Sequence, residues 1–337
     1  MNPFVRFEHF WRAQTSRAKQ HFTGLIRDEL PAQTYLHLAL WYLDLGLDKR
    51  AAAVLESCPD KNDEICYYLA YLHRGQAGGA AWLQKATAGD PHFVFPYRAE
   101  TSAVMQWAEQ QSDSWKPRYY QALVAYAHGQ RDAALQLLQS IGGQTGFAPL
   151  YVMRARLRAS TDTAGVKGDY QLAAKLSSDW HYGQYLCSYL LSLQADTAAL
   201  SVIAPYYKAD PENYVTGMLY VRCLMSADRY AEAEQVLDGL HILPYEGARA
   251  GHRLYTRIKL MRALAALRQQ HYKVALQKVA ESRLWPEHLG EGKPYPAALD
   301  DSLQEDMEKL IRDSRERGTV DRDQLAQYRA KIAAIGG

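Results

Sequence analysis

Cysteine is scarce in this chain: Cys58, Cys66, Cys187 and Cys223 are the whole set in 337 residues. They fall 8, 121 and 36 residues apart, so no Cys-x-x-Cys pair exists to grip zinc or run thiol exchange, and all four read as core-sized side chains. Long apolar runs are missing as well. The longest weakly charged stretch, Trp180 to Ala195, is interrupted by His181, Gln184, Ser188, Ser192 and Gln194 and is too short and polar to span a bilayer. At the amino terminus Glu8 and His9 stand where an export signal needs apolar side chains, so the expectation is a cytoplasmic chain with no membrane contact. An excess of one charge is lacking too. Lysine plus arginine (39) nearly cancels aspartate plus glutamate (37), which removes the field that holds a phosphate backbone and excludes nucleic acid as an expected partner.

Signatures of catalysis are also absent. No histidine lies in His-Glu-x-x-His and no serine in Gly-x-Ser-x-Gly, so neither zinc proteolysis nor a hydrolase elbow is offered. The run Gly290-Glu-Gly-Lys-Pro-Tyr hints at a phosphate loop but fails twice. Glu287 stands where a Walker loop needs its first glycine, and Pro294 stands where it needs a serine or threonine. The bland reading of this run is a fixed loop closing the last repeat, with Trp285 and Tyr295 packed on Gly290 and Gly292. The sharper one is a ligand or partner edge that exposes Lys293. Cys66 and His73 lie two helical turns apart beside Tyr67 and Tyr71, but no third group orients them, and packing is the better reading. No catalytic residue, metal or cofactor is expected.

What the chain does contain is a repeat. The helix-pair pattern of tetratricopeptide (TPR) repeats wants small residues where two helices cross, large apolar ones above them and a turn with glycine. The segment from Tyr119 fits it, with Ala122 and Ala134 at the crossing positions, Gly129 at the turn and Leu138 at the large apolar position. Tyr35 to Pro59 matches at the same offsets through Ala39, Tyr42, Gly46, Ala51 and Leu55. Ala199 and Ala233 are 34 residues apart, the period of this repeat. The pattern returns at Ala263, Ala266, Tyr272, Ala275 and Val279 after an eight-residue insertion beginning at Leu243. Weaker units lie at Cys66 to Pro91, around Gly75 and Gly78, and at Tyr151 to Leu176.

No segment alternates as a half-buried strand does, and the prolines mostly fall between helical stretches. The expected fold is all-α: a right-handed α-solenoid of six to seven TPR-like helix pairs, each too thin to bury its own apolar face and therefore stacked on its neighbours. Residues 1–30 read as an amphipathic N-terminal cap with Phe7, Phe10 and Trp11 on one face, and 31–299 as the array. Residues 300–337 read as a charged closing helix pair with Met307, Leu310 and Ile311, then Leu325, Tyr328 and Ile332, at helical spacing.

Several longer runs carry a likeness: Asn2-Pro-Phe-Val-Arg-Phe-Glu, Leu25-Ile-Arg-Asp-Glu-Leu-Pro, Phe93-Val-Phe-Pro-Tyr-Arg-Ala-Glu, Asn213-Tyr-Val-Thr-Gly-Met-Leu-Tyr, Leu243-Pro-Tyr-Glu-Gly-Ala and Trp285-Pro-Glu-His-Leu-Gly-Glu-Gly-Lys-Pro-Tyr. Together they resemble the helical part of certain large bacterial tetratricopeptide proteins in which a β-rich domain of unknown function precedes the repeats. The likeness covers Asn2 to about Leu310; the charged end departs from it most. It implies that the β-rich domain, related to carbohydrate-active sandwiches, is missing here and that Met1 begins an excised piece. It carries over no catalytic residue.

Stacked helix pairs of this kind curve around an inner surface that binds extended peptides. Registering each unit on its crossing residue puts Tyr67, Tyr71, Arg74, Tyr119, Tyr126, Arg156, His181, Gln184, Arg222 and Met225 on that concave face. Tyrosine supplies contact area with a polar tip at low entropy cost, and arginine clamps a carboxylate bidentately. The bland reading of each such ring is core. The expectation is a non-enzymatic scaffold for a peptide or partner domain, possible partners including the upstream β-rich domain. The rival is an accessory region that completes or regulates a sugar site on that domain. A homo-oligomer joined through exposed repeat ends is the third possibility.

Overall fold

Apolar residues recurring at the helical period leave each segment with one stripe to bury, and the chain meets that demand with helices alone. The computed structural model describes residues 2–27, 31–142, 145–244, 250–295 and 299–335, so residues 245–249 of the insertion lie outside the described residues. Among those described there are nineteen α-helices, one short 3-10 turn and no strand. The chain divides into two compact units, Met1–Val166 and Lys167–Gly337. The first holds α1 (Pro3–Ala13), α2 (Ser16–Thr23), α3 (Ala32–Asp44), α4 (Asp48–Glu56), α5 (Asp63–Leu72), α6 (Ala77–Ala88), α7 (Thr101–Gln111), α8 (Lys116–Ala127), α9 (Arg131–Ser140) and α10 (Ala148–Arg158). Helix α11 (Thr163–Leu176) contains the boundary. The second unit continues with α12 (Trp180–Ser192), α13 (Asp196–Ala209), α14 (Tyr214–Ser226), α15 (Tyr230–Gly239), α16 (Ala250–Arg268), α17 (Tyr272–Glu281), α18 (Ser302–Arg317) and α19 (Arg322–Ala333).

Local chemistry starts these helices. The side chains of Asn2, Thr15, Asn62, Asp179, Asn213 and Asp321 each accept a hydrogen bond from a first-turn N–H, and α8 and α10 carry a proline in their first turn.

The turns inside the pairs repeat one device. In five of them a residue with positive φ is followed by an N–H that reaches back five residues: Leu47 to Tyr42, Gln130 to Ala125, Ala195 to Leu190, Arg229 to Leu224 and His271 to Ala266. The positive-φ residue is Gly46 or Gly129 in the first unit, but Gln194, Asp228 and Gln270 in the second. This long bond satisfies helix-end carbonyls, as in a Schellman motif. Positions 194 and 228 are 34 residues apart, whereas 228 and 270 are 42 apart, which is one period plus the eight-residue insertion.

In the first unit α3 packs on α4, α5 on α6 and α8 on α9, and neighbouring pairs stack through α4 on α5 and α7 on α8. Helix α7 has no partner of its own and packs between α5 and α8, an element that the repeat pattern did not announce. In the second unit α12 with α13, α14 with α15 and α16 with α17 form three stacked pairs, and α18 and α19 close them by packing on α17 and α16. Counting α10 and α11 as a pair by chain order, seven pairs lie between Ala32 and Glu281, within the expected number. The crossing alanines Ala39, Ala51, Ala122, Ala134, Ala199, Ala233, Ala263 and Ala275 are fully buried, which is what lets the helix axes approach.

Each unit also buries a charged knot. In the first, the Lys116 ammonium donates to Asp63 at 2.8 Å, to the Ala86 carbonyl at 3.2 Å and to the Gly89 carbonyl, while the Tyr120 hydroxyl donates to Asp63 at 2.9 Å. In the second, Glu234 of α15 accepts from Lys259 (2.6 Å) and Arg262 (3.1 Å) of α16 and from Lys278 (2.8 Å) of α17. Both knots tie three elements that share no short sequence motif.

Candidate functional site

The ten residues expected on one concave face differ widely in exposure. Tyr67 and Tyr119 are buried, at 0% and 3% exposure, and this corrects their assignment as contacts. Tyr67 meets Tyr120 edge-on at 6.1 Å, and Tyr119 packs against Trp115 and Phe147 at 5.8 and 5.4 Å. The physical reason is that a register on the crossing residue locates the first helix of a pair without telling its open side from the side covered by the next pair. Tyr71 is half-buried edge-on to Trp107, with the exposed Arg74 guanidinium 4.2 Å over its ring. Tyr126 is exposed beside Arg131, and the exposed Arg156 lines a shallow cavity of about 610 Å³ with Arg131 and Leu157. His181 is exposed on Trp180, its Nδ1 2.7 Å from the Asp179 carboxylate, and Gln184 is half-buried.

Arg222 and Met225 do come together. They line a groove of about 930 Å³ in the second unit. Helix α14 supplies Tyr214, Val215, Met218, Leu219, Arg222 and Met225; α16 supplies Arg253, Leu254 and Arg257; Ile242, Leu289, Glu291 and Ile335 close the sides, and Leu191 and Asp196 reach in from α12 and α13. Met225, only 3% exposed, forms floor rather than rim. Arg222 and Arg253 are exposed, Arg257 is half-buried, and none of the three has an ion pair among the described residues. The Arg257 Nε is buried and has no hydrogen-bond partner among the described residues. A buried N–H without an acceptor costs free energy until something supplies one.

Neither of the two carboxylates lining the groove forms an ion pair with these arginines among the described residues. Glu291 accepts from the His252 backbone N–H at 3.0 Å, and Asp196 sits in the first turn of α13, where the helix end favours its charge.

The loop from Trp285 to Tyr295 frames this groove. Trp285 stacks on His252 with ring centroids 3.4 Å apart and planes 8° from parallel. Burial pushes the His252 imidazole below its ordinary range, and its Nε2 donates to the Leu284 carbonyl at 3.1 Å, so the ring is the neutral Nε2–H form. The Ile242 N–H donates to the His288 carbonyl at 2.8 Å, which ties the residue just before the insertion to the loop. Gly290 has φ +70°, and a Cβ there would stand 2.5 Å from the Ile242 carbonyl oxygen, so glycine is required twice over. The expected packing of Trp285 and Tyr295 on the glycines is corrected: Trp285 packs on His252, and Tyr295 is 88% exposed. Gly292 and Lys293 are exposed.

Sequence reading missed Arg253 and Arg257. Their i, i+4 spacing with Leu254 between them is a usable signal, but it follows directly on the insertion, where the repeat register is lost. Among the described residues no group of three or more histidine, cysteine, aspartate or glutamate side chains can hold a metal ion, and no helix is long and apolar enough to cross a membrane.

No protein-family model and no curated protein matches the chain. Solved structures similar to it include a tetratricopeptide repeat protein from Parabacteroides merdae, 10% identical over 83% of this chain and 98% of that one, with a TM-score of 0.34. A structure of Naa15/Naa10 bound to HypK-THB is 13% identical over 99% of this chain and 58% of that one, with a TM-score of 0.32. The repeated helix pairs and their recurring turn are therefore what define this molecule.

Proposed function

We propose that the chain is a non-enzymatic protein-interaction scaffold whose second unit holds an acidic, partly aliphatic segment of a partner protein in the groove between α14 and α16. One observation carries this reading: three arginines that have no ion pair among the described residues surround a floor of leucine, isoleucine and methionine, and one of them has a buried N–H with no acceptor among those residues. A carboxylate entering there gains a charge-assisted, bidentate bond in a partly desolvated site, while aliphatic neighbours cover the floor. The near-zero balance of charge over the whole chain disfavours a polyanion such as nucleic acid and favours a short acidic segment. Tyr71, Arg74, Tyr126 and Arg156 of the first unit, with His181 and Gln184 of the second, are offered as secondary contacts.

The test is fluorescence anisotropy with a labelled peptide alternating leucine and glutamate, against a counterpart with lysine for glutamate. The acidic peptide is expected to bind, and Arg257→Ala to weaken it at least about thirtyfold, as loss of a desolvated charge pair of about 2–5 kcal/mol requires. Equal binding of both peptides would sink the proposal. The carbohydrate reading is weaker because, among the described residues, Tyr214 is the single aromatic ring lining the groove, leaving little face on which to stack a sugar. A melting-temperature rise with a sugar panel and none with peptide would reverse that order.

A further inference from the structure

We infer that Cys187 and Cys223 form a disulfide-forming site inside the second unit, oxidised by a peroxide and reopened by a dithiol. One thiol comes from α12 and the other from α14, the first helices of consecutive pairs, and the two sulfur atoms stand 3.5 Å apart. Closing to a covalent S–S bond takes a movement of about 1.5 Å. The other two cysteines lack this arrangement. Cys58 and Cys66 each direct the thiol to a backbone carbonyl, of Asp60 at 3.1 Å and of Lys61 at 3.9 Å.

The charges around the pair favour reaction at Cys187. The two thiols share a hydrogen bond in which either sulfur can donate, and this contact, outweighing burial, holds the Cys187 thiol below its ordinary range while raising Cys223. The Arg222 cation acts in the same direction on both sulfurs, against Asp196, which raises Cys223. Access is the remaining requirement, since both thiols are fully buried. Ala199 and Ile203 of α13 belong to the cluster that covers them. Pro205 lies inside α13 just beyond Ile203, and lacking an N–H it cannot bond the Ser201 carbonyl, so α13 is one backbone bond short beside this cover.

The chemistry balances with a peroxide as oxidant. The Cys187 thiolate attacks a peroxide oxygen, an S–O bond forms, the O–O bond breaks and the leaving oxygen takes up a proton. Cys223 Sγ then attacks Cys187 Sγ; the S–S bond forms, the S–O bond breaks, and hydroxide leaves with the Cys223 proton as water. Two thiols have lost two electrons, and hydrogen peroxide has become two waters. The product staples α12 to α14 and closes a loop of 36 residues.

The test treats the full reduced chain with hydrogen peroxide, then denatures it, alkylates free thiols and maps the peptides by mass spectrometry. The expected result is a Cys187–Cys223 crosslink with Cys58 and Cys66 alkylated, and a melting temperature raised by several degrees that dithiothreitol returns to its starting value. Cys223→Ser is expected to abolish both signals. Should that variant not fold, Cys58→Ser/Cys66→Ser keeps the pair intact and must still lose both remaining alkylatable thiols on oxidation. Full alkylation of all four cysteines, overoxidation of the pair without a crosslink, or a crosslink formed only in urea would each overturn the inference.

Discussion

A single backbone angle separates the two units' turns. Gly46 and Gly129 adopt positive φ at no steric cost, whereas Gln194 and Gln270 hold φ of 56° and 59° with a Cβ in place. The recurring five-residue back-bond keeps them there, so the strain persists in the fold instead of being relieved locally. Gln270→Gly is therefore expected to stabilise the chain by about 1 kcal/mol, and Gly129→Ala to destabilise it by a similar amount. Urea melts of the two variants check this, and a destabilised Gln270→Gly would show that the glutamine is held by something other than the turn. The sequence announced these turns only where glycine marked them. A glutamine in the left-handed region leaves no signature, which is why the second unit's turns were located from crossing alanines and not from the turn itself. The same limit applies to Tyr67 and Tyr119: helical period separates inside from outside but cannot say which inside a ring occupies.

Helices α15, α16 and α17 are joined by one carboxylate. Burial alone would raise the pKa of Glu234, but hydrogen bonds from Lys259 and Lys278 outweigh it and hold the group below its ordinary range. A carboxylate depressed in the folded state contributes stability that is complete above its unfolded value of about 4.3 and is lost as pH falls through the lower, folded one. Acid unfolding of this unit is thus expected to steepen below about pH 4, and Glu234→Gln to flatten that slope. The same variant costs about 3 kcal/mol at neutral pH, because Lys259 stays buried with only the more distant Glu281 and Asp238, at 3.5 and 3.7 Å. Circular dichroism against pH for both chains checks it, and parallel curves would remove Glu234 as the cause. This knot was illegible in the sequence, for its members stand 25 and 44 residues apart and no local period links them. Helix α7 escaped for the opposite reason, since it is a local element with no repeat partner to advertise it.

At the scale of the molecule, stability is distributed along the chain. Within each unit a helix packs mainly on its neighbours in order, so damage has a short reach, as expected of repeat proteins. Lys116→Met makes the point testable. It strips Asp63 of its buried cation and leaves the carboxylate with the Tyr120 hydroxyl, a loss of about 3–5 kcal/mol. Pairing it with Asp63→Asn removes the stranded charge and is expected to recover part of that loss. In a chain folding as one cooperative body, the single variant would speed amide exchange everywhere by the same factor. In a chain of locally stacked pairs, exchange quickens in α5, α6 and α8, which the lysine ties together, while α16 and α17, held by Glu234 and the core around Leu260, Leu264 and Val279, keep their protection. Hydrogen exchange resolved by peptide decides between them. Local acceleration would also explain how one unit can carry a groove whose Arg257 Nε has no partner among the described residues without the cost spreading to the other.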